Sequence, residues 1–141
     1  MAGPVPEPLI QFFEQGIPFN AWLGMKVLEL SPGRAVVRVP FRPELVGDPV
    51  RPALHGGVLS ALADTTGGLA AFAMLDNPLT DRVSTLDLLI DYLLAARLED
   101  LVCEGVVVRL GNKVAHTRMT IRQGDHVPVE ARAVYNVVRR S

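Results

Sequence analysis

Between His55 and Leu75 the chain carries a single carboxylate, Asp64, in a run that is otherwise apolar or neutral and that opens His55-Gly56-Gly57. An ionisable group on an apolar helix is costly to desolvate unless it has a partner, a proton or a task. Asp64 is therefore either a structural carboxylate, hydrogen-bonded to backbone or to a nearby threonine, or a general base or nucleophile. Taken alone, His55 reads equally as a histidine satisfied at a strand-to-helix junction, and Gly56 and Gly57 as turn residues. Together they suggest more. A Gly-Gly pair at a helix start leaves N–H groups bare, and the helix dipole adds to their pull on a carbonyl or phosphate oxygen. An oxyanion site is the natural use of that arrangement. Nine residues separate His55 from Asp64, about 13.5 Å at 1.5 Å per residue, which is beyond hydrogen-bond reach within one chain. If the Gly56 amide and Asp64 act on one substrate, they come from two subunits packed antiparallel.

Other chemistries find less support. Ser60 sits in Val58-Leu59-Ser60-Ala61-Leu62, without the G-x-S-x-G elbow of serine hydrolases. Cys103 falls in a strand pattern and reads as core or inert surface. His55, His116 and His126 lack partners at metal-ligand spacing, and no Gly-rich piece is followed by the Lys-Ser or Lys-Thr of a nucleoside-triphosphate loop. Neither a metal nor a redox cofactor is expected.

The elements that must position these residues are mostly strands. Met25 to Leu30 and Ala35 to Phe41 flank Ser31-Pro32-Gly33-Arg34 and read as a hairpin. After the helix, Val83 to Leu93, Leu101 to Leu110, Val114 to Arg122 and Val127 to Val138 are rich in Val, Ile, Leu and Thr, and are broken at Leu98-Glu99-Asp100, Gly111-Asn112 and Gly124-Asp125. Ahead of them, Pro8 to Gln15 reads as a short helix with Leu9, Phe12 and Phe13 on one side, ending at Gly16. Sequential antiparallel strands with one central helix predict an α+β domain whose sheet curls around that helix. Gly67 and Gly68 inside the helix predict close packing against the sheet or a second chain.

The chain has 141 residues, 49% hydrophobic and 21% charged, with a net charge of -1. That is the size of one compact domain with a substantial core, and we expect residues 1–141 to form a single one. No basic run offers a footprint for nucleic acid. Gly56 to Leu75 is about long enough to span a bilayer, but a mid-membrane Asp costs roughly 2.5 to 3.5 kcal/mol, which argues against membrane insertion. One cysteine leaves no intrachain disulfide, and the start lacks the basic and apolar regions of a signal peptide, so a cytoplasmic location is expected. Residues 1 to 8, rich in proline, read as a loose terminus.

Three stretches carry a resemblance. Leu54-His55-Gly56-Gly57-Val58-Leu59-Ser60-Ala61-Leu62-Ala63-Asp64, with Phe19-Asn20-Ala21-Trp22-Leu23-Gly24-Met25-Lys26-Val27 before it and Ser84-Thr85-Leu86-Asp87-Leu88-Leu89-Ile90-Asp91-Tyr92-Leu93 after it, resembles hotdog-fold acyl-CoA thioesterases of the phenylacetic-acid-degradation (PaaI-like) group. The resemblance runs in order over roughly residues 17 to 138. It implies a hotdog homodimer, often paired into a homotetramer, with acyl-CoA as substrate, CoA being part of the substrate rather than a cofactor. It implies that the Gly56 amide polarises the thioester carbonyl while Asp64 of the neighbouring subunit serves as base or nucleophile. By the same resemblance Thr85 helps orient the attacking water, and His55 shapes the oxyanion loop. Gly57, Leu59 and Phe72 would contact substrate, with Phe12, Phe13 and Trp22 as further acyl-pocket candidates. Arg82, Arg109, Lys113 and Arg118 are candidates for the CoA phosphates. Many relatives carry Asn where this chain has Pro49, leaving Asp48 or Arg51 as possible substitutes. Two other readings stay open: a hotdog dehydratase or hydratase, which needs a His and an acid meeting across the interface, and a non-catalytic acyl-CoA binding module.

Overall fold

The computed structural model describes residues 7–140; the expected loose terminus lies, over residues 1–6, outside them. The first helix, α1 (Glu7–Gln11), starts within the stretch expected to be loose. It does not continue to Gln15 as one α-helix. Residues Phe12–Gly16 form a π-turn, closed by the Ile17 N–H on the Phe12 carbonyl at 3.1 Å. A second short helix, α2 (Pro18–Leu23), was not expected. It opens on proline, whose fixed φ suits a first helical position, and stops at Gly24 in the left-handed region at φ 74°.

The predicted hairpin is β1 (Lys26–Ser31) and β2 (Arg34–Val39), turning through Gly33 at φ 84°. A two-stranded ribbon not read from the sequence, β3 (Val46–Asp48) and β4 (Ala53–Leu54), then leads into α3 (Gly56–Phe72), which ends before the predicted Leu75. The four remaining strands are β5 (Arg82–Tyr92), β6 (Leu101–Leu110), β7 (Val114–Gln123) and β8 (His126–Val138). Six strands form one sheet in the order β1-β2-β6-β7-β8-β5, antiparallel throughout. The strand following α3 thus pairs at the far edge from the strands preceding it, so the helix must cross the sheet's concave face. This is the α+β hotdog architecture.

One face of α3 makes the core. Leu59, Leu62, Ala63, Thr66, Gly67, Leu69, Ala70 and Ala71 are buried, a stripe at helical spacing turned to the sheet. The backbones meet closely. A Cβ on Gly105 of β6 would lie 3.1 Å from the Thr66 carbonyl oxygen, and one on Gly67 would lie 2.6 Å from the Tyr135 hydroxyl. Gly67 therefore meets the expectation of tight packing against the sheet. Gly68 has only ordinary contact with the Tyr135 ring, at 3.4 Å, and stays half-buried.

Candidate active site

Asp64 lies on the flank of α3, half-buried, rather than in its buried stripe. The cost of a fully buried carboxylate is therefore not incurred within one chain. Thr85, on β5 just before the bulge between Thr85 and Asp87, donates its hydroxyl to Asp64 Oδ1 at 2.7 Å. Among the described residues Asp64 Oδ2 takes no hydrogen bond, which leaves it open to a water or a substrate. The backbone at the same residue is held from β8, where the Tyr135 hydroxyl donates to the Asp64 carbonyl oxygen at 2.6 Å. Burial, with the Asp64 charge adding to it, pushes the Tyr135 phenol well above its ordinary value. Tyr135 therefore stays a donor. Sequence reasoning missed it, although its inward phase in β8 was readable.

Asp64, Thr85 and Tyr135 open on a cavity of about 820 Å³ whose walls also include Phe12, Phe13, Leu69 and Phe72. Phe12, Phe13 and Phe72 thus fall where an acyl pocket was expected. Two other candidates do not. Trp22 is exposed, with the Arg42 guanidinium 4.4 Å above its ring. Leu59 lines a separate cleft of about 330 Å³ together with Gly56 and Tyr92.

The N-terminus of α3 forms that second place. His55 is its N-cap, an uncommon choice for a position that favours small oxygen-bearing side chains. The ring Nδ1 accepts from the Gly57 N–H at 2.8 Å, so a neutral His55 carries its proton on Nε2. The Gly57 amide is thereby occupied and not bare. Among the described residues nothing accepts from the Gly56 N–H, which remains free for a ligand. Its carbonyl is held by the Tyr92 hydroxyl at 3.0 Å, a second tyrosine that sequence reasoning missed. Within one chain Gly56 and Asp64 stay apart, eight residues or about 12 Å along the helix.

The remaining candidates are peripheral. Asp48 is committed to its own turn, accepting from the Val50 and Arg51 N–H groups at 3.0 Å each, with the Arg51 guanidinium 3.6 Å away. Arg82 lines the large cavity. Arg109 and Arg118 lie in a groove on the opposite face of the sheet. Cys103 is core, its thiol pushed by burial from the ordinary 9.0 up to about 12. Among the described residues no cluster of His, Cys, Asp and Glu could hold a metal, and no helix is long and apolar enough to cross a membrane.

Residues 52–130, which include β4, α3 and most of the sheet, match the profile of the Thioesterase superfamily. The chain belongs to this superfamily. The medium/long-chain acyl-CoA thioesterase YigI of Escherichia coli is 30% identical over 139 residues, covering 90% of each protein. A solved structure from Shewanella oneidensis, described as related to the thioesterase superfamily, aligns with a TM-score of 0.86 at 28% identity, covering 95% of both chains. A thioesterase of Haemophilus influenzae shares the fold, with a TM-score of 0.82 at 22% identity over 99% of this chain and 93% of that one. The superfamily match and the relation to an acyl-CoA thioesterase make thioester hydrolysis the reaction class of this chain.

Proposed function

We propose that the protein is an acyl-CoA thioesterase whose site is shared between two subunits. The observation that carries this reading is the Thr85-to-Asp64 hydrogen bond at 2.7 Å, set in the wall of a largely apolar cavity of about 820 Å³. A cavity of that size, near the top of the roughly 300 to 1,000 Å³ that holds whole small molecules, suits a medium acyl group better than a small one. The resemblance to the PaaI-like group and the relation to YigI support CoA as the carrier.

The contacts of β5 support a shared site. Thr85 touches Asp64 and Tyr92 touches Gly56, so one edge strand carries the contacts of both half-sites. β5 is a free edge of the sheet, and its Leu86 and Leu89 are both exposed. A long apolar edge strand calls for a partner. Because the bulge takes residue 86 out of the ladder, antiparallel pairing of two copies of β5 about a two-fold axis through Leu89 sets residue 85 of one chain opposite residue 92 of the other. The Asp64 carboxylate then faces the neighbour's Gly56 amide. There the amide stabilises the oxyanion formed at the thioester carbonyl. Asp64 either takes a proton from the water that attacks the carbonyl, or itself attacks to give a mixed anhydride that water then hydrolyses. In both routes the C–S bond breaks, the CoA sulfur leaves with the bonding pair and is protonated, and the acyl group departs as the free acid. The chemistry uses water and side chains alone. His55 holds the amide loop through its Nδ1.

Two variants test this reading. Asp64→Asn should lower turnover of acyl-CoA roughly a hundredfold or more with folding intact. Gly56→Pro removes the N–H at a first helical position, where proline is tolerated, and should be similarly inactive. Mixed and reassociated, the two inactive proteins should regain about a quarter of wild-type activity, since half of the dimers carry one intact site of two. Free thiol release measures this, and a mixture that stays inactive refutes the shared site. Unimpaired Asp64→Asn refutes the catalytic role.

A further inference from the structure

The π-turn at Phe12–Gly16 is a rare backbone form of a kind that recurs at functional sites. It treats two successive aromatic rings differently. Phe13 is 5% exposed and belongs to the core, whereas Phe12 is 59% exposed, yet both line the cavity that holds Asp64 and Thr85. Phe12 is not loose. Its ring lies against Gly16, where a Cβ would come within 2.6 Å of Phe12 Cδ1. Any other residue at 16 would displace the ring, so the glycine is the seat that holds Phe12 at the cavity wall. An apolar ring kept in place beside an apolar cavity, with half its surface in water, is packing that a ligand can complete.

We propose that Phe12 is a specificity-determining residue that selects longer acyl groups. This rests on the acyl-thioester reading of the Asp64 cavity. A short acyl group fills only the neighbourhood of Asp64 and Thr85. A longer one extends along the flank of α3 toward Phe72, about 12 Å from Asp64 at 1.5 Å per residue, and lies against the wall that Phe12 completes. Covering the exposed half of a phenylalanine ring is worth about tenfold in kcat/KM. That gain goes to the long chain alone.

The experiment compares kcat/KM for decanoyl-CoA and propionyl-CoA in the wild type, Phe12→Ala and Gly16→Ala, together with calorimetric binding of the non-hydrolysable thioether S-decyl-CoA. Both variants should lower the decanoyl-to-propionyl ratio about tenfold, one by removing the ring and the other by unseating it, and both should weaken S-decyl-CoA binding by a similar factor. Equal losses on both substrates would assign Phe12 a structural role and overturn the proposal, as would an unchanged ratio in both variants. If the wild type hydrolyses neither thioester, the thioesterase reading fails, and S-decyl-CoA binding still decides whether Phe12 completes the pocket.

Discussion

Gly67→Ala tests how closely α3 is seated on the sheet. The added methyl would lie 2.6 Å from the Tyr135 hydroxyl, 2.7 Å from Met119 Sδ and 3.1 Å from Thr117 Oγ1. Met119 can swing its sulfur aside; the phenol, fixed by its 2.6 Å bond to the Asp64 carbonyl, cannot do so without breaking that bond. Overpacking of this kind costs roughly 1 to 3 kcal/mol and loss of the hydrogen bond about 1 kcal/mol, while replacing glycine in a helix interior returns about 1 kcal/mol. A net loss of about 1 to 3 kcal/mol is expected. Tyr135→Phe alone should cost about 1 kcal/mol. In the double variant the methyl no longer meets a hydroxyl, so the two losses should fall short of additive by about 1 kcal/mol. Urea unfolding at one fixed protein concentration measures all four corners of the cycle, with m unchanged. Gly67→Ala that is more stable than wild type, or a strictly additive cycle, would show that the helix does not rest on Tyr135 as described.

Thr85→Val removes the donor to Asp64 while keeping a β-branched strand residue; kcat should fall roughly tenfold with KM little changed, and Thr85→Ser should restore most of it. Steady-state kinetics on one acyl-CoA decides this, and a KM effect alone would make Thr85 a binding residue. Cys103 predicts alkaline instability. Its thiol ionises near 9.0 when unfolded but only at about 12 in the fold, so the unfolded chain loses its proton first. The stabilisation is whole below pH 9 and falls by about 1.4 kcal/mol per pH unit from there up to pH 12. Urea melts between pH 8 and 11 should show a shallower decline in Cys103→Ala than in the wild type, and parallel slopes would count against the assignment.

Local pattern determined what could be read from the chain. Strands β1, β2 and β5 to β8 follow from β-branched runs and their turn breakers, and α3 from an apolar run opened by glycines, so the hotdog order was legible. The Phe12–Gly16 turn was not, because apolar spacing at 9, 12 and 13 fits an α-helix as well as a π-turn, and only the contact of Phe12 with Gly16 separates them. Asp64 and Thr85 were legible as candidates through their motifs. Tyr135 and Tyr92 were not, since their hydroxyls act on backbone carbonyls 71 and 36 residues away, and no local signal marks a hydrogen bond at that separation. His55 was expected at the strand-to-helix junction as a residue that shapes the loop; its ring nitrogen does so as a cap, a task usually given to Ser, Thr, Asp or Asn, which the sequence did not suggest.

The composition of α3 bears on what covers its other side. A helix that is apolar nearly all round is ordinarily buried all round, yet one chain covers only the stripe from Leu59 to Ala71. The flank away from it carries Ala61, Asp64, Thr65, Gly68 and Phe72, each half-buried. Small residues on that flank leave space rather than fill it, and the space is the cavity beside Asp64. A solvent-facing flank would ordinarily carry Lys, Glu and Arg, and this one has a single carboxylate whose Oδ1 already accepts from Thr85. The pattern is that of a helix meant to be covered by something apolar that comes and goes, together with something apolar that stays. An acyl chain meets the first description. A second copy of β5, bringing its Gly56 amide toward Asp64, meets the second, and the mixing experiment with Asp64→Asn and Gly56→Pro tests it.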